Sequence, residues 1–235
     1  MKKKILLSLL CGVMVLGVAT GCGNKENNNR NNNSANNPTV ENNNNNSTTT
    51  GEITINSVKN AKVTDESKFD YREVEGGIAI TDYEGTDEIV VIPETIDGQT
   101  VVAIDRNAVV NNDTMKGLKI ANTVHTIGDH GFANCTELQI FVSGNSLKSI
   151  MDFAFNGCRK LREVELNNGL ETIEMLSFGL TNLTQIEIPA SVTTINMPFT
   201  KNEEQQLTII GELGSEAENY VSLDGENFNI KFQVK

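Results

Sequence analysis

The chain has 235 residues, with 19 Lys and Arg against 31 Asp and Glu, a formal net charge of −12. That balance excludes nucleic acid, whose phosphates must be met by Lys and Arg, and electrostatic adhesion to anionic lipid. It suits a soluble, self-repelling ectodomain, and because the first 50 residues cannot feed a packed core, one folded domain is expected rather than two.

The amino terminus reads as an export signal. Lys2, Lys3 and Lys4 form a basic start, and Ile5 to Val18 an apolar stretch too short for a comfortable transmembrane helix. Small residues then lead to a cysteine in Ala19-Thr20-Gly21-Cys22, a run that resembles the bacterial lipobox. The resemblance implies cleavage of residues 1–21 and lipidation of Cys22. Two or three acyl chains, at about 0.8 kcal/mol per buried methylene, anchor stably where one is marginal. Loss of the three lysines leaves sixteen cations and a mature charge near −15.

Residues 22–50 follow as a tether. Asn24 to Thr50 holds 14 asparagines in 27 residues, with no period of 2 or 3.6 and too little apolar surface to offset the entropy of ordering. As a random coil it reaches about 30 Å. Residues 51–67 read as a linker, and residues 68–235 as the folded domain.

That domain repeats. Ile104, Ile127, Ile150, Ile173 and Ile195 recur at spacings of 23, 23, 23 and 22. Val101, Val124, Leu147, Leu170 and Val192 stand three positions before them, and Ala108-Val109, Gly131-Phe132, Ala154-Phe155 and Ser177-Phe178 follow; the fifth unit reaches Phe199 one position early. Short β-branched stretches end at Ile92, Ile120, Val142, Leu166 and Ile188. Read from the preceding unit, Met115, Leu118 and Ile120, or Leu183, Ile186 and Ile188, give Leu-x-x-Leu-x-Leu, the leucine-rich-repeat signature. One unit cannot bury its own Ile, Leu and Phe, so neighbours must stack into a continuous core. The expected fold is a leucine-rich-repeat solenoid of the α/β type, with short parallel strands, irregular or short helical returns and about five repeats, roughly 20 to 25 Å tall at the usual strand spacing.

Residues 124–138, with Gly131-Phe132-Ala133-Asn134-Cys135, and residues 147–161, with Ala154-Phe155-Asn156-Gly157-Cys158, resemble BspA-type leucine-rich repeats. The likeness runs from about Phe69 to the end, although Val109 stands where Phe is expected and the fifth unit lacks the Cys. Physics asks for caps on such a stack, because open ends leave strand edges and apolar residues in water. Residues 69–74 and 78–83 around Glu75-Gly76-Gly77 predict a hairpin cap. At the other end, Ser215 and Glu218 have capping-box spacing, predicting a short helix, and Ile230, Phe232 and Val234 alternate as a last strand.

Catalytic chemistry is sparse. His125 and His130 are the two histidines, and no phosphate loop, metal-spaced set or nucleophile with a base stands out, so neither enzyme, cofactor nor metal is expected. Cys135 and Cys158 share a column one repeat apart. Stacking places them at Cα distances a disulfide tolerates, but parallel side chains favour free buried thiols, and sequence leaves the matter open. Glu163, Glu165, Glu171 and Glu187 read as a solvated acidic face.

What a solenoid offers is a broad surface of equivalent positions. The outward residues of the strands are expected to be Val91, Lys119, Phe141, Glu165 and Glu187, flanked by Gln139, Glu163 and Gln185, with Phe141 as an exposed anchor for a partner. The family resemblance implies adhesion to proteins or cells: an exported, lipid-anchored protein at the cell membrane or outer surface, held there through Cys22, with a protein or an envelope or host surface as its ligand. The alternative is an envelope-associated solute-binding or structural lipoprotein, which a single repeating unit without a second lobe fits less well.

Overall fold

The structure, a computed structural model, describes residues 52–200 and 202–235. The expected signal peptide, Cys22 and the Asn-rich tether lie outside the described residues.

The chain first forms a one-turn helix, α1 (Ile55–Lys59), held by a complete capping box in which Thr54 and Ser57 exchange side-chain and backbone hydrogen bonds. A single 3-10 turn follows at Glu66–Lys68. The expected hairpin cap is present: β1 (Phe69–Val74) runs antiparallel to β2 (Gly77–Tyr83), with a bulge at Asp70 and Tyr71. Gly77 is required there, because a Cβ would stand 2.2 Å from the Thr100 carbonyl oxygen on the next strand.

From β2 onward the chain winds as a parallel solenoid. One wall is the ladder β2, β5 (Gln99–Ile104), β7 (Thr126–Ile127), β9 (Ser149–Ile150), β11 (Thr172–Ile173) and β13 (Thr194–Ile195), with β4 (Thr95–Ile96) turning back on β5. In it Ile80, Ile104, Ile127, Ile150, Ile173 and Ile195 stand in register, so the isoleucine column begins one strand earlier than the 23-residue spacing indicates. The other wall carries β3 (Ile89–Val91), β6 (Gly117–Lys119), β8 (Ile140–Val142) and β10 (Glu163–Glu165), then the ladder β12 (Gln185–Glu187), β14 (Leu207–Gly211) and β15 (Ile230–Val234). The chain thus makes about seven turns rather than five. The extra turns lie at the two ends, where the strands keep the ladder but lose the sequence pattern.

Between the walls the apolar columns fuse. Phe132, Phe155, Phe178 and Phe199 stack at centroid spacings of 5.5, 5.5 and 6.1 Å. Each contact adds about 0.5–1.5 kcal/mol to the burial of its rings. Cys135 and Cys158 are free, buried thiols, and each donates from Sγ to a carbonyl of the preceding coil, Val109 at 3.1 Å and Phe132 at 3.2 Å. The neighbouring Cys135 thiol, together with burial, holds Cys158 well above the ordinary thiol value, which keeps it protonated and unreactive.

The returns are irregular turns, each with left-handed residues at fixed places: Asn107, His130, Phe153, Leu176 and Met197 in one column, Asn111, Asn134, Gly157 and Leu180 in another. Side chains in this region cost energy. Continuous pairing between coils offsets it, as when His130 N–H donates to Asp152 and Phe153 N–H to Met175, both at 2.9 Å.

The carboxyl end closes the stack. Helix α2 (Glu216–Phe228) crosses between the parallel strands β14 and β15 and buries Ala217, Tyr220 and Gly225. It is 13 residues long, longer than expected, and the anticipated box at its start is not formed. Glu218 accepts from Gly214 N–H at 2.6 Å, whereas the Ser215 side chain makes no capping bond.

Candidate interaction face

The pairing of the second wall decides which side chains leave it. Val90, Leu118, Phe141 and Val164 are mutually in register, and so are Val91, Lys119, Val142 and Glu165. Phe141 therefore points into the core: it is 0% exposed and meets the Phe155 ring at 4.5 Å. The expected exposed anchor is a core residue, and the outward residue of its strand is Val142. The expected row is out of step by one position at Phe141, since Lys119, Val142 and Glu165 recur every 23 residues in unbroken register, and a slip of one position turns every side chain of a strand to the opposite face. The same slip replaces Gln139 by Ile140 in the flanking row, beside Ile89, Gly117, Glu163 and Gln185.

Of the other expected face residues, Glu187 is exposed and Glu165 half-buried, while Lys119 is half-buried and Val91 buried. Val91 is covered because residues 51–67 do more than link. Residues 52–64 form a strap across this wall, entering beside Arg162 and leaving at Val91. Val58 is 0% exposed and packs on Ile140 and Val142, with Ile53, Ile55 and Ile89 around it. Gly117 makes the seat, since a Cβ there would meet Val58 Cγ2 at 2.5 Å. Polar contacts hold the rim. Lys119 Nζ donates to the Lys59 carbonyl at 2.9 Å, an Arg162 guanidinium N–H donates to the Ile53 carbonyl at 2.9 Å, and Lys59 pairs with Glu165 at 2.6 Å. At the exit Thr64 exchanges two bonds with the Val91 backbone, 3.1 and 2.9 Å.

Burying Val58 is worth about 1.5–3 kcal/mol. The half-exposed ion pairs each add about 0–1 kcal/mol. The strap is thus held by one fully buried side chain, the half-buried Ile53 and Ile55, and hydrogen bonds at both of its ends. Where it leaves, a recess of about 470 Å³ opens between Val63, Val91, Lys119 and Ala121.

Beyond β8 the wall turns polar, and past the Lys59–Glu165 pair the strap no longer covers it. Glu163 and Gln185 flank Glu165 and Glu187, and Glu187 pairs with Lys235 at 2.6 Å, an interaction that raises the lysine pKa. Glu171 does not join this row; it lies on the opposite wall and pairs with Lys148 at 2.7 Å. His125 is exposed, and half-buried His130 lies flat against Phe153 at 4.8 Å, a packing role. Among the described residues the carboxylates of Asp70, Asp82 and Glu84 come within 4.8 Å of one another. No motif marks this group, because it is assembled by the pairing of Asp70 with Asp82 across β1 and β2 and by the Glu84 N–H bond to the Lys68 carbonyl just beyond them. Also among the described residues, no helix is long and apolar enough to cross a membrane.

A parallel solenoid with an outward row of regularly spaced side chains defines a leucine-rich-repeat protein. The chain belongs to the BspA type leucine rich repeat family, whose model matches residues 94–212 in six copies. It is similar in structure to a leucine-rich-repeat protein from T. pallidum, with a TM-score of 0.58 and 27% identity over 63% of this chain and 71% of that one. A leucine-rich-repeat protein from Bacteroides ovatus shares the fold with a TM-score of 0.55 and 21% identity, over 74% of this chain and 52% of that one. No curated protein matches the chain. Proteins of this repeat class are generally binding modules rather than enzymes.

Proposed function

We propose that this chain is an exported lipoprotein, anchored through Cys22, whose solenoid binds a protein partner at the cell surface through the strand wall described above. The observation that carries the reading is the outward row Val91, Lys119, Val142, Glu165 and Glu187, one residue per coil, on a repeat family compatible with protein binding. Such a row presents a broad surface, suited to a macromolecule more than to a small solute. Its uncovered part offers carboxylates and amides, so the partner meets it with cationic and hydrogen-bonding groups.

The test is binding by the soluble part, residues 51–235, to matrix proteins, envelope polymers and small solutes. A protein ligand is expected, with at least a tenfold loss of affinity on Glu187→Lys combined with Gln185→Ala. Unchanged binding by that variant would remove this face. Anchoring has its own test: Cys22→Ala is expected to release the protein from the membrane fraction or to leave an uncleaved precursor, and normal processing with full membrane retention would defeat it.

A further inference from the structure

Two observations separate the strap from the fold it covers. Val58, Ile140 and Val142 form a cluster of their own, apart from the main core, with the strand wall between them. Lifting the strap leaves the Phe141, Leu118 and Val90 side of that wall untouched. The strap also lacks the means to hold its shape unaided, because a five-residue helix does not persist in water without a surface to pack on.

The wall beneath is built to receive it. Outward positions that are Glu or Gln on β10 and β12 are Ile89, Val91, Ile140 and Val142 on β3 and β8, and the strand between them has Gly117 where a side chain would fill the seat. Donors stand at both margins: Lys119 and Arg162 bind the strap carbonyls of Lys59 and Ile53, a mode indifferent to the occupant's sequence, and Arg162 also pairs with the exposed Glu52 side chain at 3.2 Å. Glu165 meets Lys59, one of the strap's two cations. Sequence selection is thereby left to three aliphatic positions, Ile53, Ile55 and Val58, to the cation after them and to the anion before them.

We infer that the groove over β3, β6 and β8 is a docking site for a short aliphatic peptide segment of a partner protein, with the strap as its resident occupant. The incoming segment has the strap's own chemistry: aliphatic side chains at its first, third and sixth positions, a cation at the seventh, and a single helical turn between. It enters by displacing the strap, whose residues Asn60, Lys62 and Val63 are exposed and leave the backbone free to swing about the bonds at Thr64. This deepens the protein-binding reading above and rests on it for biological meaning. The groove itself is testable without any natural partner.

The probe is a fluorescent peptide of residues 52–62, titrated into the mature chain and followed by anisotropy. A tethered occupant competes at an effective concentration on the order of millimolar. The unaltered chain is therefore expected to bind the peptide at least tenfold more weakly than the Val58→Asp chain, in which the strap is disabled. The Ile53→Asn and Ile55→Asn double variant disables it by a second route and is expected to behave alike. Gly117→Leu fills the seat and is expected to abolish binding, as is Val58→Asp in the peptide. Absence of saturable binding to both strap-disabled chains, up to about 1 mM peptide, overturns the inference. So does equal binding to Gly117→Leu, or dimerisation of the unaltered chain that free peptide fails to reverse, because the face would then join copies of the chain. Failure here together with loss of partner binding in the Glu187→Lys and Gln185→Ala variant leaves the general reading standing. The reverse pattern sinks that reading and keeps the groove.

Discussion

The two halves of the strand wall share one backbone and differ in what faces outward. Over β3, β6 and β8 the outward residues are Ile89, Val91, Gly117, Lys119, Ile140 and Val142, and the strap lies on them; over β10 and β12 they are Glu163, Glu165, Gln185 and Glu187, of which the strap meets Glu165 through Lys59, while Gln185 and Glu187 are exposed. Repeat geometry therefore fixes where side chains point but not what they meet. In this molecule the amino-terminal segment and the first three strands of the wall have complementary chemistry, whereas the later strands are finished for water.

Variants that move a residue between these environments test the comparison, and the largest effect belongs to the inner side. Phe141→Ala is expected to cost about 3–5 kcal/mol in chemical denaturation, because it empties a site against Phe155; a change under about 0.5 kcal/mol, the surface norm, would return Phe141 to the outside. Next comes Val142→Asp under the strap. Its cost is capped at about 2 kcal/mol, since the strap can lift and let the carboxylate reach water. Hydrogen exchange is expected to show lost protection at Val58 and Asn60 with the coil amides unchanged, and a global loss of protection would mean the strap belongs to the core.

Ser177→Ala is expected to stabilise by about 1 kcal/mol, read as a rise in Tm. The Ser177 hydroxyl is buried without a hydrogen-bond partner, and such a group carries an uncompensated desolvation cost. It stands where the preceding coil has Ala154.

The smallest effect is electrostatic. Hydrogen bonds from Lys68 and Tyr83 hold the Asp87 carboxyl below the usual carboxylate range, while burial and Asp87 push the Tyr83 hydroxyl up. A depressed carboxylate stabilises the fold above its unfolded pKa, about 3.9, and loses that contribution as pH falls through its folded value. With both partners of the Lys68 pair over a third exposed, the contribution is less than about 1 kcal/mol. Asp87→Asn is expected to be less stable than the parent at pH 7 and to converge with it below about pH 4; a gap that persists in acid would rule out the charge as its source.

The repeating core was legible because it is redundant. Ile127, Ile150 and Ile173 recur at one spacing amid like neighbours, so a single misread position could not hide the column. The interaction face had no such redundancy. Ile140, Phe141 and Val142 are all apolar, and a strand greasy on both sides carries no alternation from which to set its register. The strap was illegible for a related reason: Ile53, Ile55 and Val58 span less than two helical turns, too short for a period to declare itself. Their partners lie some 80 positions downstream, on strands whose outward side is apolar only because the strap exists.

The strap enters beside Arg162, at the fourth strand of the wall, not at an end of the stack. Tension drawn through the amino-terminal chain therefore meets the strap first, with its five-residue turn seated by Val58. Should that turn yield before the coils, mechanical load is spent peeling a fastening instead of unravelling the structure it fastens.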